Sequence, residues 1–254
     1  MNNLKLISLI GILMLWCNLS PAIAQETKLM IRAKAKDAKF IGSSIGGAKI
    51  IVKNSLTGEI LAQGLTAGST GNTKKIMEEP VVRHQELAEE STAGFEAILD
   101  VKEPTLVNIE GFAPLNKQQA RVKSSTELWV IPGKDITGDG IILEFPGFVI
   151  DILSPQTHEI LSAKDSIELK ANIVMMCGCP ITKGGLWDAN QYEVKALITG
   201  ENGQSKEIKM EQKEKVSTFF AKAQLESGLY EVLIYAFDPV TGNTGVDKTN
   251  IIIK

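Results

Sequence analysis

The chain has few cysteines, few histidines and few aromatic residues. Of 254 residues, 3 are cysteine, 2 are histidine and 6% are aromatic. So few cysteines cannot build a disulfide framework. The histidines, His84 and His158, stand in none of the local sequence contexts that common hydrolases use. No glycine-rich nucleotide-binding motif follows a strand and opens a helix. The sequence therefore predicts a protein that is not an enzyme.

Long apolar runs are missing beyond the first residues, so we predict that the mature chain spans no membrane. At the start, Lys5 precedes an apolar stretch from Leu6 to Trp16, and small residues follow up to Ala24. This order is typical of a secretory signal peptide. We therefore predict that residues 1–24 are cleaved off after Ala24 and that the protein is periplasmic or secreted.

An excess of positive charge is also absent. Removing Lys5 with the signal peptide leaves 26 of the 27 basic residues against 30 acidic ones, a net charge of −4. Nucleic-acid binding needs a basic surface that neutralises phosphates. We expect no nucleic-acid partner.

Short segments with alternating polarity, by contrast, fill most of the chain. From Lys28 to Lys36, apolar side chains at Leu29, Ile31, Ala33 and Ala35 alternate with mainly charged ones. This alternation is typical of a half-buried strand. Similar segments recur to the C terminus between Gly-, Asn- and Pro-containing turns. We predict an all-β chain with two antiparallel β-sandwich domains in tandem.

Changes in composition set the predicted domain boundaries. The first sandwich covers 25–131 and is interrupted at 67–92 by a long loop that contains His84, with a helical turn expected at 85–90. Residues 132–147, rich in Gly, Asp and Thr, are predicted to form a linker. The second sandwich covers 148–254, where strand-like segments recur at regular spacing.

Two stretches resemble known families. Residues 46–64 carry Gly-Gly-Ala-x-Ile-x-Val, then Thr-Gly-Glu, then Leu-Ala-x-Gly. This order, within about 29–66, resembles transthyretin-like or carboxypeptidase-regulatory β-sandwiches. Residues 148–254 contain Ser154-Pro155 after an apolar strand and Gly228-Leu229-Tyr230 before an alternating one, and they resemble bacterial immunoglobulin-like domains. Both resemblances imply a β-sandwich and no particular activity.

The segment from Met175 to Pro180 carries the most distinctive chemistry, because it holds both cysteines that remain after export. In a continuous strand, Met175, Cys177 and Cys179 would project from one face. Soft sulfur ligands select Cu(I). The leading hypothesis is a copper-binding protein with these three ligands and His158, from the preceding loop, as the fourth.

Cys177 and Cys179 allow two other interpretations. Cysteines two positions apart on a straight strand lie about 7 Å from each other, so a shared metal ion requires a kink at Gly178. The same kink would allow a disulfide, which is either redox-active or structural. A further alternative is that the protein is an extracytoplasmic scaffold or interaction module whose loops, such as 67–92, bind a protein or a glycan.

Two other loops remain open to more than one interpretation. Trp187, in a glycine-rich loop, is expected to cover the sulfur face, contact a sugar or pack on the sandwich edge. Asp135 to Gly140 begins like a calcium loop, but Pro146 stands where that motif needs a glutamate. We therefore expect a turn there.

Overall fold

A computed structural model describes residues 26–213 and 215–254. The predicted signal peptide, residues 1–24, lies outside this range. Within it, no helix has both the length and the apolar character needed to cross a bilayer. The described residues form strands joined by turns, which confirms the prediction of an all-β protein.

The strands of the first half are β1 (Thr27–Ala35), β2 (Lys49–Asn54), β3 (Ile60–Leu65), β4 (Phe95–Leu99), β5 (Thr105–Ala113), β6 (Val122–Val130) and β7 (Ile136–Phe145). They form a three-stranded sheet in the order β4-β1-β7 and a four-stranded sheet in the order β3-β2-β5-β6. The alternation in β1 is as predicted, because Leu29, Ile31, Ala33 and Ala35 are all fully buried.

Strand β7 corrects the predicted linker at 132–147. It runs parallel to β1, and the paired positions extend from Ile31 opposite Ile141 to Ala35 opposite Phe145. Leu143 and Phe145 are buried in the sandwich. The Gly- and Asp-rich stretch from 136 to 140 is therefore the start of a strand, and only Pro146 and Gly147 separate β7 from the next strand.

The second half contains β8 (Phe148–Ser154), β9 (Glu159–Leu161), β10 (Ile167–Met175), β11 (Glu193–Gly200), β12 (Ser205–Lys209), β13 (Glu211–Gln212), β14 (Thr218–Ala223), β15 (Gly228–Phe237) and β16 (Thr244–Ile253). The sheet orders are β13-β14-β10-β8 and β12-β11-β15-β16-β9. The strand pairs of the second half are antiparallel, apart from the parallel pair β16 and β9. Those of the first half are antiparallel too, apart from β1 and β7.

One apolar core runs through both halves of the molecule. A single cluster of buried side chains extends from Leu29 in β1 to Ile253 in β16. Polar contacts also cross the junction: the Asn243 side chain donates to the carbonyl of Lys36, and the Lys117 ammonium pairs with Asp151 at 2.7 Å. The two sandwiches therefore pack directly against each other.

The loop at 67–92 contains no strand, as expected, but its helical turn lies elsewhere than predicted. A single π-helical turn spans Lys74–Glu78 and buries Ile76. The expected turn at 85–90 does not form as a helix, because the carboxylate of Asp139 accepts the backbone N–H groups of Leu87 and Ala88 from outside the loop.

Candidate functional site

The sulfur-bearing segment forms a tight turn at the end of β10. The N–H of Gly178 donates to the carbonyl of Met175 at 2.7 Å, and the N–H of Met175 donates to the carbonyl of Cys179 at 3.0 Å. Gly178 has a φ of +80°, a conformation that glycine adopts without steric cost. The chain therefore reverses after Met175, so the kink needed at Gly178 is present and the strand alternation stops.

Cys177 and Cys179 form a disulfide bond within this turn. Their Cα atoms are 5.4 Å apart, inside the range found for bonded cysteines. Both side chains are buried, with 1% and 5% of their surfaces exposed. Because metal coordination needs the deprotonated thiol, this bonded pair offers no thiolate ligand.

Met175 lies in the core and faces an aromatic neighbour. The side chain is fully buried, and its sulfur accepts a weak hydrogen bond from the Tyr192 hydroxyl at 3.9 Å. Tyr192 packs edge-on against Phe148 with ring centroids 5.1 Å apart. Burial, reinforced by Asp238 and Asp37, raises the pKa of Tyr192, so the hydroxyl stays a donor. Met175 therefore serves as a core side chain with a hydrogen-bonded sulfur.

His158 does not join the cysteines, and its expected place as fourth ligand is wrong. Its backbone N–H donates to the carbonyl of Asn250. The cysteine turn lies near the other end of β16. Thr244, the first residue of β16, and the methyl group of Met176, next to Cys177, are close neighbours: both lie within 3.0 Å of the position that a Cβ on Gly147 would take. Asn250 lies six residue steps along β16 from Thr244, a distance of about 20 Å. The parallel pairing of β9 with β16 carries His158 to that far end.

The described residues also hold no group of three or more His, Cys, Asp or Glu side chains placed to bind a metal ion. Asp135 and Asp139, from the calcium-like stretch, each accept backbone N–H groups from other segments of the first half. Their carboxylates therefore connect chain segments.

Trp187 ties the two halves together beside the cysteine turn. The indole is 6% exposed, and its N–H donates to the carbonyl of Asp37 at 2.9 Å. Gly178 packs nearby on the junction, where a Cβ at its position would lie 3.3 Å from Ile45. Of the three interpretations of Trp187, packing is therefore the one that its surroundings support.

The loop at 67–92 is held in place by a buried arginine. Arg32 of β1 is 7% exposed and donates to the carbonyls of Thr92, Ala93 and Gly138. Burial lowers the pKa of Arg32, and the nearby Asp139 and Glu86 carboxylates oppose that shift. The arginine thus joins β1, the loop and β7. The alternating pattern had placed Arg32 on the polar face, and nothing in its local sequence indicates a buried role.

The same loop has a small apolar core and an exposed apolar tip. Phe40, Ile76 and Ala88 form a buried cluster separate from the main core. At the tip, Val81 and Val82 are 64% and 66% exposed. The loop therefore combines fixed ends with two adjacent valines in solvent.

Comparisons with known proteins identify no family. No model of a protein family and no curated protein sequence matches the chain. Among solved structures, the fibronectin(III)-like modules of CbhA from Clostridium thermocellum share 11% identity over 90% of this chain and 94% of theirs, with a TM-score of 0.30. Titin domains Z1Z2, solved in complex with telethonin, share 8% identity over 91% of this chain and 96% of theirs, with a TM-score of 0.25. Scores this low support no argument about function.

Proposed function

We propose that this chain is an extracytoplasmic, non-enzymatic interaction module that docks another protein at the tip of the loop 67–92. The observation that carries the proposal is the pair of exposed valines, Val81 and Val82. They lie on a loop whose N-terminal end is held by backbone hydrogen bonds between Ala67 and Gly94 and whose C-terminal part is held by Arg32 and Asp139. Adjacent apolar side chains in solvent are a common feature of protein-interaction sites. Export rests on the signal peptide predicted from the sequence.

The anchoring of the loop supports a role in binding a partner. Arg32 and Asp139 bind four backbone groups of the loop and its C-terminal flank, and Arg32 also binds the carbonyl of Gly138 in β7. A loop that is already ordered loses less conformational freedom when it binds, and this raises affinity. Residues 67–92 contain no Phe, Tyr or Trp on which a sugar ring could stack, so an apolar protein surface suits the tip better than a glycan.

The alternative copper function is less well supported. It requires the reduced chain, because the disulfide uses both thiols, and it lacks His158 as a ligand. Copper binding therefore remains a hypothesis for reduced protein alone.

Site-specific photo-crosslinking tests the docking proposal. A photoreactive residue at position 82 is expected to give a discrete protein adduct in the producing cells. The same residue at Val240, which is 83% exposed in the second half, is the matched control. Identical adducts at both positions, or none at position 82, would contradict the proposal.

The crosslinked partner then allows an affinity test. Docking buries two valines whose removal costs about 2–3 kcal/mol, so the double variant Val81→Ser/Val82→Ser should bind at least about tenfold more weakly. The control Val240→Ser should bind normally. Unchanged affinity of the double variant would refute docking at this tip.

A further inference from the structure

The outer face of the five-stranded sheet is a second surface with unusual composition. The strand registers show which side chains point outward, because residues that lie opposite each other on neighbouring strands point to the same face of the sheet. We call these residues the sheet face. Its apolar members are Ile160, Leu197, Leu229, Leu233, Tyr235, Phe237, Val246 and Ile252.

Several of these apolar side chains are strongly exposed. Ile160 is 56% exposed, Leu229 is 51% exposed and Val246 is 45% exposed. Sheets in β-sandwiches normally place polar residues on their outward faces. Here eight of the eighteen outward strand positions are apolar. Apolar side chains that are exposed in this proportion on an outer face indicate that something covers it.

The face is bounded at each end by a depression. At one end, Tyr235 and Val246 meet Val122 of the first half in an apolar groove of about 480 Å³. At the other end, Leu229 and Ile252 border a hollow of about 640 Å³. The groove continues the sheet face onto the first half, so the available surface extends beyond the sheet.

The charged residues of the face balance one another. Its strand positions carry three lysines and three glutamates, Lys195, Lys209, Lys248, Glu193, Glu207 and Glu231. Lys195 pairs with Glu207 at 3.0 Å, and Lys248 pairs with Glu231 at 3.2 Å. The whole chain has a net charge of −3, but this face is neutral. Two copies can therefore bring it together without net repulsion.

The size of the face is that of a modest dimer interface. The five strands are 3, 5, 8, 10 and 10 residues long. At about 3.3 Å per residue and about 4.8 Å between strands, they cover roughly 570 Å². A standard interface uses about 800 Å² per partner. The groove beside Val122 supplies the additional area.

We infer that this sheet face binds a second copy of the chain in a two-fold symmetric dimer. In such an interface, the residue nearest the two-fold axis meets its own counterpart. Leu233 occupies that place, because it lies midway along β15, the central strand of the sheet. The inference is independent of docking at Val81 and Val82, which belong to the first half.

Oligomeric state and disulfide trapping test this inference. The mature protein should sediment as a dimer at tens of micromolar. Val246→Lys should raise the dissociation constant of the dimer at least tenfold, so that this variant sediments mainly as a monomer. Leu56→Lys is the matched control, since Leu56 is 83% exposed in a first-half turn. Val81→Ser/Val82→Ser should leave the dimer unchanged, which separates this result from the docking proposal.

Under mild oxidation, Leu233→Cys should form a covalent dimer, whereas Leu56→Cys should not. A monomer at 200 µM would overturn the inference, as would equal trapping of both cysteine variants. Trapping of Leu233→Cys to a different protein in cells, without self-dimer, would overturn it too. If Leu233→Cys does not fold, the sedimentation of the natural chain and of Val246→Lys decides the inference without it.

Discussion

Reduction of the Cys177–Cys179 disulfide should cost the protein little stability. The two cysteines are only 2 positions apart, so the bond closes a very short loop in the unfolded chain. The chain-entropy relation gives about 1.6 kcal/mol for such a loop at 25 °C, against about 3 kcal/mol for a 15-residue loop. The bond therefore shapes the local turn and is not the main attachment between the two halves.

Urea unfolding of oxidised and reduced protein measures this difference directly. Because both sulfurs remain in place after reduction, no cavity contributes to the result. Trp187 is buried at the junction of the halves, so its fluorescence reports on unfolding there. We expect a single transition in both forms, since one core runs through both halves, with the reduced form less stable by about 1–2 kcal/mol.

A variant without the bond provides the control. Cys177→Ala/Cys179→Ala should unfold at the same urea concentration with and without a phosphine reductant. The reasoning is refuted if reduction of the natural chain costs more than about 3 kcal/mol, the value for a much longer loop, or if the halves then unfold in separate transitions. Either result would show that the disulfide holds the junction together.

Three further predictions concern charge and metal. Arg32→Met should lower stability by about 2–4 kcal/mol in urea unfolding, because carbonyls lose a buried donor; a loss below about 1 kcal/mol would contradict this role. Asp37 is exposed, but partial desolvation and the neighbouring Asp238 raise its pKa. At pH values above the pKa of Asp37 in the folded protein, its ionisation destabilises the fold; at pH values below its pKa in the unfolded chain, the group is protonated in both states and has no effect. Asp37→Asn should therefore raise the free energy of unfolding by up to about 1 kcal/mol at pH 7 and leave it unchanged at pH 3. The copper hypothesis predicts that Cu(I) binds stoichiometrically only after reduction and that Cys177→Ser/Cys179→Ser abolishes binding; equal copper content in the double variant would exclude it.

Local patterns predicted the strands well, because alternation records which face of a strand meets the core. The face of Leu29 and Ile31 is as expected in β1. The same rule failed at Arg32, which it placed in solvent. On that side of β1, the Arg32 side chain reaches carbonyls of the loop 67–92 and of Gly138 near the start of β7. Contacts with such distant segments leave no mark on the alternation of β1 itself.

The expected position of His158 was wrong for a similar reason. The need for a kink at Gly178 followed from the spacing of Cys177 and Cys179, and the turn is present. The position of His158 depended instead on which end of β16 its loop reaches. The parallel pairing of β9 with β16 decides that, and such long-range pairing has no local sequence signal.

The junction connects the two proposed surfaces. Trp187, Gly178 and Asn243 join the sandwiches through direct contacts, so the loop tip of the first half is held at a fixed position relative to the sheet face of the second. A two-fold dimer through that face would then present two copies of Val81 and Val82 at a constant separation. A partner with two matching sites would bind both tips with an affinity well above that of either one. Loosening the junction should reduce this gain while leaving the affinity of a single tip unchanged, because the loop is anchored within the first half.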